Sequence, residues 1–396
     1  MKILLVSSYL PYPLINGGHI RLYNLLKSLK NRHEITLICE KREYQTATDI
    51  EAVEDVCTKV ITFPRKKQWS IANILKTGFS DDPFLIVGHK IAEMKMRIKQ
   101  ELQKEKYDLI HIETSYVFQN VPQTILPTVL IEHNIEYLVY KRFAQNAPIF
   151  LRPFLLIDVN KLKKKEEDYW RKATRVVAVS PSEKSLIEQT GVQADLVPNG
   201  VDLESFKFKN IDQFFQSERK QFLFIGDYKW MQNRDAVRWL IKEIWPNITK
   251  QVKEKISLRI VGRNIPPRIK TIGDPTIIIE EDSPRKTEEI FSESFALLAP
   301  LRIGGGSQYK ILESMAVGTP VITTPLGLSG LKIKAGRDIL VGENVKEIVT
   351  HAISLLHNKK LYSELALNGR RQIEREYDWN SIAQKLDSVY QNVKSK

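Results

Sequence analysis

The sequence predicts an α/β protein made of two doubly wound parallel-sheet halves. Three observations predict it. The 396 residues exceed what one ordinary core holds. Short apolar runs alternate with helix-period segments. The alternation restarts near residue 221. A composition of 42% hydrophobic and 27% charged residues is that of a globular protein, which excludes a disordered tail, a collagen or a disulfide scaffold.

Residues 2–6 are a short continuous apolar run, as in a central parallel strand buried on both faces. A loop with Pro11, Pro13, Asn16, Gly17 and Gly18 follows. Next comes a helix with apolar residues at 22, 25, 26 and 29. Residues 34–39, 108–112, 128–131 and 175–179 read as further strands. The second half opens with a strand at 221–226 that ends on Gly226, then an amphipathic helix over 235–244. Its later strands are 257–261, 276–279, 296–301 and 320–323. Residues 203–220 are polar with few periodic apolar positions, which predicts a linker and domains at 1–200 and 201–378. Helical spacing returns at 345–356 and 361–377. Asp378-Trp379-Asn380-Ser381 reads as a new helix start capped by Asn380 or Ser381, and helix 379–396 is expected to pack back on the first domain.

The formal charge of +13 points to an anionic partner. The excess is spread over both halves, which argues against a dedicated nucleic-acid arm. No aromatic–basic platform or recognisable module supports nucleic acid as a partner. One concentration stands out: residues 141–175 hold ten Lys/Arg against four acids. Apolar residues are interleaved there, among them Phe143, Ile149, Phe150, Leu151 and Phe154. That pattern fits either a solvated helix face or an anionic membrane surface. Cys39 and Cys57 have no metal-ligand spacing and read as buried thiols in a reducing compartment. The N-terminus lacks the apolar length of a secretory signal, and no run is long enough to span a bilayer. A cytoplasmic protein is expected, membrane-peripheral at most.

Ligands of open parallel sheets bind outside the carboxyl ends of the strands. Four sets of residues follow strands here. These are Gly17-Gly18, Glu132-His133-Asn134, Gly226-Asp227-Tyr228-Lys229, and the segment from Arg302 to Glu313. If the halves face one another across a cleft, all four converge on it. The last set is the most informative. Gly304, Gly305 and Gly306 let backbone N–H groups close on a ligand. Ser307 is placed to cap a helix running to residue 317, whose start suits phosphate. Arg302 and Lys310 add fixed cations, and Lys310 and Glu313 share one helix face. A cation beside a carboxylate is what a ribose diphosphate requires. Dinucleotide and P-loop signatures are absent, which weakens oxidoreductase and ATPase readings. Glu280-Glu281-Asp282 is a carboxylate cluster without a metal partner set, and no metal site is expected.

The run from Ala299 to Ile322, with its Lys310-Ile311-Leu312-Glu313-Ser314-Met315-Ala316-Val317-Gly318-Thr319-Pro320-Val321 core, resembles the retaining, nucleotide-sugar-dependent glycosyltransferases of the GT-B fold, family 4. Gly226 with Trp230 and Asn233 resembles the opening of one branch of that family. Val197-Pro198-Asn199-Gly200 resembles its interdomain entry, and Gly17-Gly18 and Glu132-His133-Asn134-Ile135-Glu136 resemble its N-terminal sites. The resemblance implies two facing Rossmann-like domains with a cleft between them. It implies transfer of a sugar from a UDP- or GDP-linked donor to a hydroxyl of a sugar, lipid-linked or protein acceptor, with retention and without a metal or other cofactor. That chemistry belongs to polysaccharide, glycolipid or glycoconjugate synthesis.

By resemblance, Arg302, Lys310 and the amides of 304–307 contact the diphosphate, with Gly17 and Gly18 approaching from the other half. Lys229 is a further candidate, Gly226 and Asn233 belong to the donor site, Glu313 holds the ribose, and His133 lies near the reacting sugar. Closure at 198–220 and near Asp378 would exclude water. Two positions depart from the pattern. Gly305 stands where many members carry the first of two Glu, and Gln232 where a proline often precedes Asn233. Two alternatives remain: a non-catalytic nucleotide-sugar-binding subunit, and a sugar-nucleotide epimerase on a similar two-domain fold.

Overall fold

A computed structural model describes residues 1–216, 218–303 and 309–394. The chain divides into two compact units, Met1–Pro198 with Ile382–Lys396, and Asn199–Ser381. In the first, β1 (Lys2–Ser7), β2 (Glu34–Lys41), β3 (Lys59–Pro64), β4 (Leu109–Glu113), β5 (Thr128–Glu132), β6 (Arg175–Ala178) and β7 (Ala194–Leu196) form one sheet in the order β3-β2-β1-β4-β5-β6-β7. Every pairing is parallel. Ile3, Leu4 and Val6 of β1 are fully buried, as a strand covered on both faces requires.

The second unit repeats the plan with β8 (Lys220–Asp227), β9 (Ile256–Arg263), β10 (Ile277–Glu281), β11 (Ala296–Ala299), β12 (Val321–Thr323) and β13 (Leu340–Val341), ordered β10-β9-β8-β11-β12-β13. In each sheet the strand order reverses once, between β1 and β4 and between β8 and β11. A doubly wound sheet opens a ligand crevice at the carboxyl ends of those strands. Ser7, Glu113, Asp227 and Ala299 are the strand ends concerned.

The structure corrects several expectations. The β3, β7 and β13 strands are not foreseen: β3 is a half-exposed edge closed by Pro64, and the other two are only three and two residues long. The stretch 203–220 is not a free linker. Lys209 is buried and donates to Ser294 O and Thr319 Oγ1, and the Ile211–Gln216 helix lays Ile211 and Phe215 on the core of the second unit. Those anchors are too sparse to show a period. Gly17 and Gly18 lie in the first turn of the Gly17–Leu29 helix rather than before it, with Asn16 as N-cap. The helix expected at 235–244 starts at Met231, and its last turn, Leu240–Ile244, is a π-helix. The final helix, Trp379–Lys394, is capped by neither Asn380 nor Ser381. Asp378 Oδ2 accepts from the N–H groups of both. That helix ends in the first unit, where Tyr390 meets His111, Asp387 meets His33 and Lys394 meets Asp108. Cys39 is fully buried and Cys57 half-buried.

Candidate functional site

In the first unit the crevice is organised by Glu113, a fully buried carboxylate at the end of β4. His133, one residue past β5, donates from Nε2 to Glu113 Oε1 (2.5 Å). His111, two residues back on the same face of β4, donates from Nε2 to Oε2 (2.6 Å) and accepts at Nδ1 from Tyr390 (2.6 Å). Tyr9 Oη lies 3.2 Å from both Glu113 Oε1 and Gly18 O. Burial alone would raise the Glu113 carboxyl, but His133 and His111 reverse this and hold it well below the usual carboxylate range. The carboxylate fixes the tautomer of His133 and leaves Nδ1 for the pocket. A Cβ placed on Gly18 would sit 3.5 Å from that Nδ1, so glycine keeps the approach open. Thr114, directly after Glu113, is held at φ 73°, a strained conformation for a β-branched residue and one that concentrates at functional sites.

Of these, Tyr9, Gly18, Thr114 and His133 line a pocket of about 340 Å³ within the first unit, with Asn16, Tyr116 and Asn134 among its other walls. A second buried cluster adjoins it. Glu40 Oε1 accepts from His89 Nδ1 (2.7 Å), and Oε2 accepts from Arg65 (3.1 Å). Sequence reasoning missed Glu113, Glu40, His89 and Arg65. Glu40 and Glu113 lie at strand carboxyl ends, the one signal that could have found them.

The Glu132-His133-Asn134-Ile135-Glu136 segment serves two purposes. His133, Asn134 and Glu136 face the pocket. Glu132 turns into the core and accepts from Trp170 Nε1 (2.9 Å). Glu166 caps the Glu136–Asn146 helix by accepting from the N–H groups of Glu136 (2.9 Å) and Tyr137 (2.7 Å). Burial pushes the Glu132, Glu136 and Glu166 carboxyls up.

In the second unit, Gly226 and Gly262 lie in register on β8 and β9, and a Cβ on Gly262 would strike Gly226 O. Asn233 covers Gly226, donates to Asp227 O (2.8 Å) and accepts from Lys310 Nζ (2.7 Å). Lys310 lies over the Phe224 ring at 4.8 Å. Gly226, Asn233 and Lys310, far apart in sequence, are thereby joined. Lys310 and Glu313 both belong to the Tyr309–Ala316 helix. Burial pulls the Lys310 ammonium down to about 7 and pushes the Glu313 carboxyl up to about 7, each only partly offset by the other's charge.

The remaining expectations divide. Gly304, Gly305, Gly306 and Ser307 lie outside the described residues. Arg302 is held by Asp235 in a bidentate pair (2.8 and 3.1 Å) and covers the Trp239 ring, so it would have to leave Asp235 to meet a ligand. Lys229 is exposed, its backbone N–H bonded to Asp227 Oδ1. Glu280 and Glu281 do not form a cluster: Glu280 pairs with Arg259 and Glu281 with Lys270. Within 141–175 several cations are already engaged, Lys165 with Asp82, Lys172 with Asp168, and Lys161 with the carbonyls of Thr77 and Ser80.

The chain matches the family described as Glycosyltransferase Family 4 over residues 15–205, and the one described as Glycosyl transferases group 1 over residues 219–358. The chain belongs to the group 1, family 4 type of glycosyltransferase. The glycosyltransferase is 22% identical to an uncharacterised 44.6 kDa protein in the cps region of Klebsiella pneumoniae, over 96% of this chain and 97% of that one. It has the fold of sucrose-phosphate synthase from Thermosynechococcus elongatus (TM-score 0.71, 16% identity, both chains covered completely). It also has that of Anabaena HepE solved with UDP and glucose (TM-score 0.63, 13% identity, 99% of this chain and 100% of that one). Both sheets are therefore those of a GT-B glycosyltransferase.

Proposed function

We propose that this glycosyltransferase moves a sugar from a UDP- or GDP-linked donor to an acceptor hydroxyl, with retention and without a metal. The observation that carries the donor reading is the Gly226–Asn233–Lys310 chain, with Glu313 on the helix that bears Lys310. The glycines let the backbone approach, Lys310 neutralises phosphate and Glu313 holds ribose hydroxyls by charge-assisted bonds. The complexes of HepE with UDP and with UDP-glucose support a uridine donor. Arg302, released from Asp235, Lys229 and the 304–307 segment would complete the diphosphate contacts. His133, oriented by Glu113, stands by the reacting sugar as hydrogen-bond partner. The leaving phosphate itself takes the acceptor proton. Titration calorimetry with UDP and GDP tests the assignment. Lys310→Ala and Glu313→Ala should each weaken binding by roughly 1–3 kcal/mol, the worth of a charged hydrogen bond. Wild-type affinity in both variants would refute it. Proton NMR of the product anomer reads retention, and an unchanged rate in EDTA reads metal independence.

A cytoplasmic site of action at an anionic membrane surface is part of the same proposal. Among the described residues no helix is long and apolar enough to cross a membrane. The Ile71–Phe79 helix nevertheless buries none of its residues, and Phe79 is 90% exposed. Lys161, bonded to Thr77 O and Ser80 O, ties that helix to the Arg152–Lys172 helix, where Phe154 is 72% exposed. Phe143, Ile149, Phe150 and Ile157 are exposed nearby in the chain, with Lys76, Lys141 and Lys164 among them. Apolar side chains rimmed by cations fit an anionic bilayer. Co-sedimentation with phosphatidylglycerol vesicles should be lost in a Phe79→Asp/Phe154→Asp variant. Equal binding by that variant would overturn the membrane role.

A further inference from the structure

The pocket of the first unit holds a guanidinium that no carboxylate of the described residues pairs. Three of its lining side chains are ordinarily ionised: Arg42, Arg65 and Glu136. Arg65, 17% exposed at its side chain, is paired with Glu40, and that same carboxylate also accepts from His89. Arg42 has no ion-pair partner among the described residues, and it is exposed. Its charge is nevertheless felt at Arg65, His89 and His19.

The position of Arg42 is fixed by the fold. Its N–H donates to Gln45 Oε1 (2.9 Å), and the buried Gln45 amide is anchored in turn on Leu10 O (3.0 Å) and Tyr12 O (2.5 Å). A guanidinium with no ion-pair partner among the described residues, near a second that shares its carboxylate, is an arrangement that binds an oxyanion in a forked geometry.

We propose that the acceptor of this glycosyltransferase carries an oxyanion, a phosphate or a carboxylate on its sugar or headgroup, and that Arg42 and Arg65 hold it. The proposal rests on the first-unit pocket being the acceptor site. The neutral acceptor hydroxyl would then be presented to His133, which lines the same pocket. Arg42 and Arg65 are specificity residues in this scheme, and the donor contacts of the second unit do not depend on them.

Binding can be read by thermal shift and calorimetry on the full chain, with UDP or GDP at saturation so that the diphosphate site is filled. The probes are glucose, glucose 6-phosphate, glucose 1-phosphate and glucuronate. At least one anionic probe should bind roughly tenfold tighter than glucose, and added salt should erode the difference. The two phosphates against glucuronate tell phosphate from carboxylate. Arg42→Gln should abolish the preference, Arg42→Lys should restore part of it, and Lys95→Gln, an exposed cation outside the pocket, should leave it intact. Arg42 is exposed and unpaired among the described residues, so Arg42→Gln leaves no buried charge behind and should fold normally.

No preference for any anionic probe, or a preference that survives Arg42→Gln, overturns the proposal. Nucleotide binding is measured first and separately. Loss of all UDP and GDP binding would count against the donor reading. Intact nucleotide binding with no charge preference would count against the oxyanion alone.

Discussion

The two units share one sheet plan but treat charge in opposite ways. The first compensates the two buried carboxylates nearest its pocket internally, while burial pushes its Glu132, Glu136 and Glu166 carboxyls up. Glu113 is bracketed by His111 and His133, and Glu40 by His89 and Arg65. The second leaves Lys310 and Glu313 incompletely compensated, so that each is drawn toward neutrality at about 7. An internally paired site keeps its charge state whether or not a ligand is present. A poorly compensated pair waits for a ligand to complete it, and its charge follows the solution pH until then.

The sharpest way to break this contrast is Glu113→Gln. Removing the negative charge that orients His133 should lower turnover on the order of 10²–10³-fold, the usual worth of one positioned hydrogen-bond donor at developing charge. The Glu113→Gln/His133→Ala double variant should be no slower than the worse single variant, because the two act as a unit. Additive losses would show that they do not. The second test is Lys310→Met, which should cost roughly tenfold or more in UDP affinity yet leave the melting temperature unchanged or higher. A drop in melting temperature would mean that the ammonium is structural.

The third is pH. Lys310 carries its charge below about 7 and Glu313 above about 7. Donor affinity should therefore peak near neutrality, falling on the alkaline side as Lys310 deprotonates and on the acid side as Glu313 protonates. Without ligand, the linkage has the opposite shape. Between the usual carboxylate value and 7 the folded state binds the extra proton on Glu313, so stability falls as pH rises. Above 7 the unfolded state holds the extra proton on Lys310, so stability rises. Calorimetric affinities and denaturation midpoints across this range should mirror one another, and flat profiles would refute the pairing. Smaller effects should follow from the glycines. Gly226→Ala places a Cβ 2.7 Å from Asn233 Nδ2 and should cost about 1–3 kcal/mol through the Asn233 bonds. Gly18→Ala meets atoms at 3.3–3.5 Å and should barely change stability. Smallest of all, Lys163→Ala should leave UDP affinity unchanged.

The same contrast decides what could be read from the residues alone. The second-unit residues each carry a local signal, Gly226 near the end of a strand and Lys310 and Glu313 three apart on one helix, although the bond that joins Lys310 to Asn233 spans 77 residues. Periodicity and glycine spacing therefore single these residues out, and the alternation of strands and helices gives the parallel plan of both sheets. The first-unit site is assembled at long range. Glu113 meets His133 across 20 residues, and Glu40 meets Arg65 across 25. A carboxylate ending an apolar strand gives no hint of its partner. Arg302 differs again: its neighbourhood is legible, but its pairing with Asp235, 67 residues away, is not. Ile211 and Phe215, which bind 203–220 into the second unit, were too few to register as a period.

The hydrogen bond between His111 and Tyr390 spans 279 residues, with the whole second unit interposed. At ribosomal speeds of about 5–20 residues per second, some 14–56 s separate the emergence of the two partners. A nascent first unit therefore waits, with one imidazole of its central triad unmet, until the second has been made. The His111–Tyr390 contact can form only after the second unit has been made, so a product interrupted before residue 390 would be born without it.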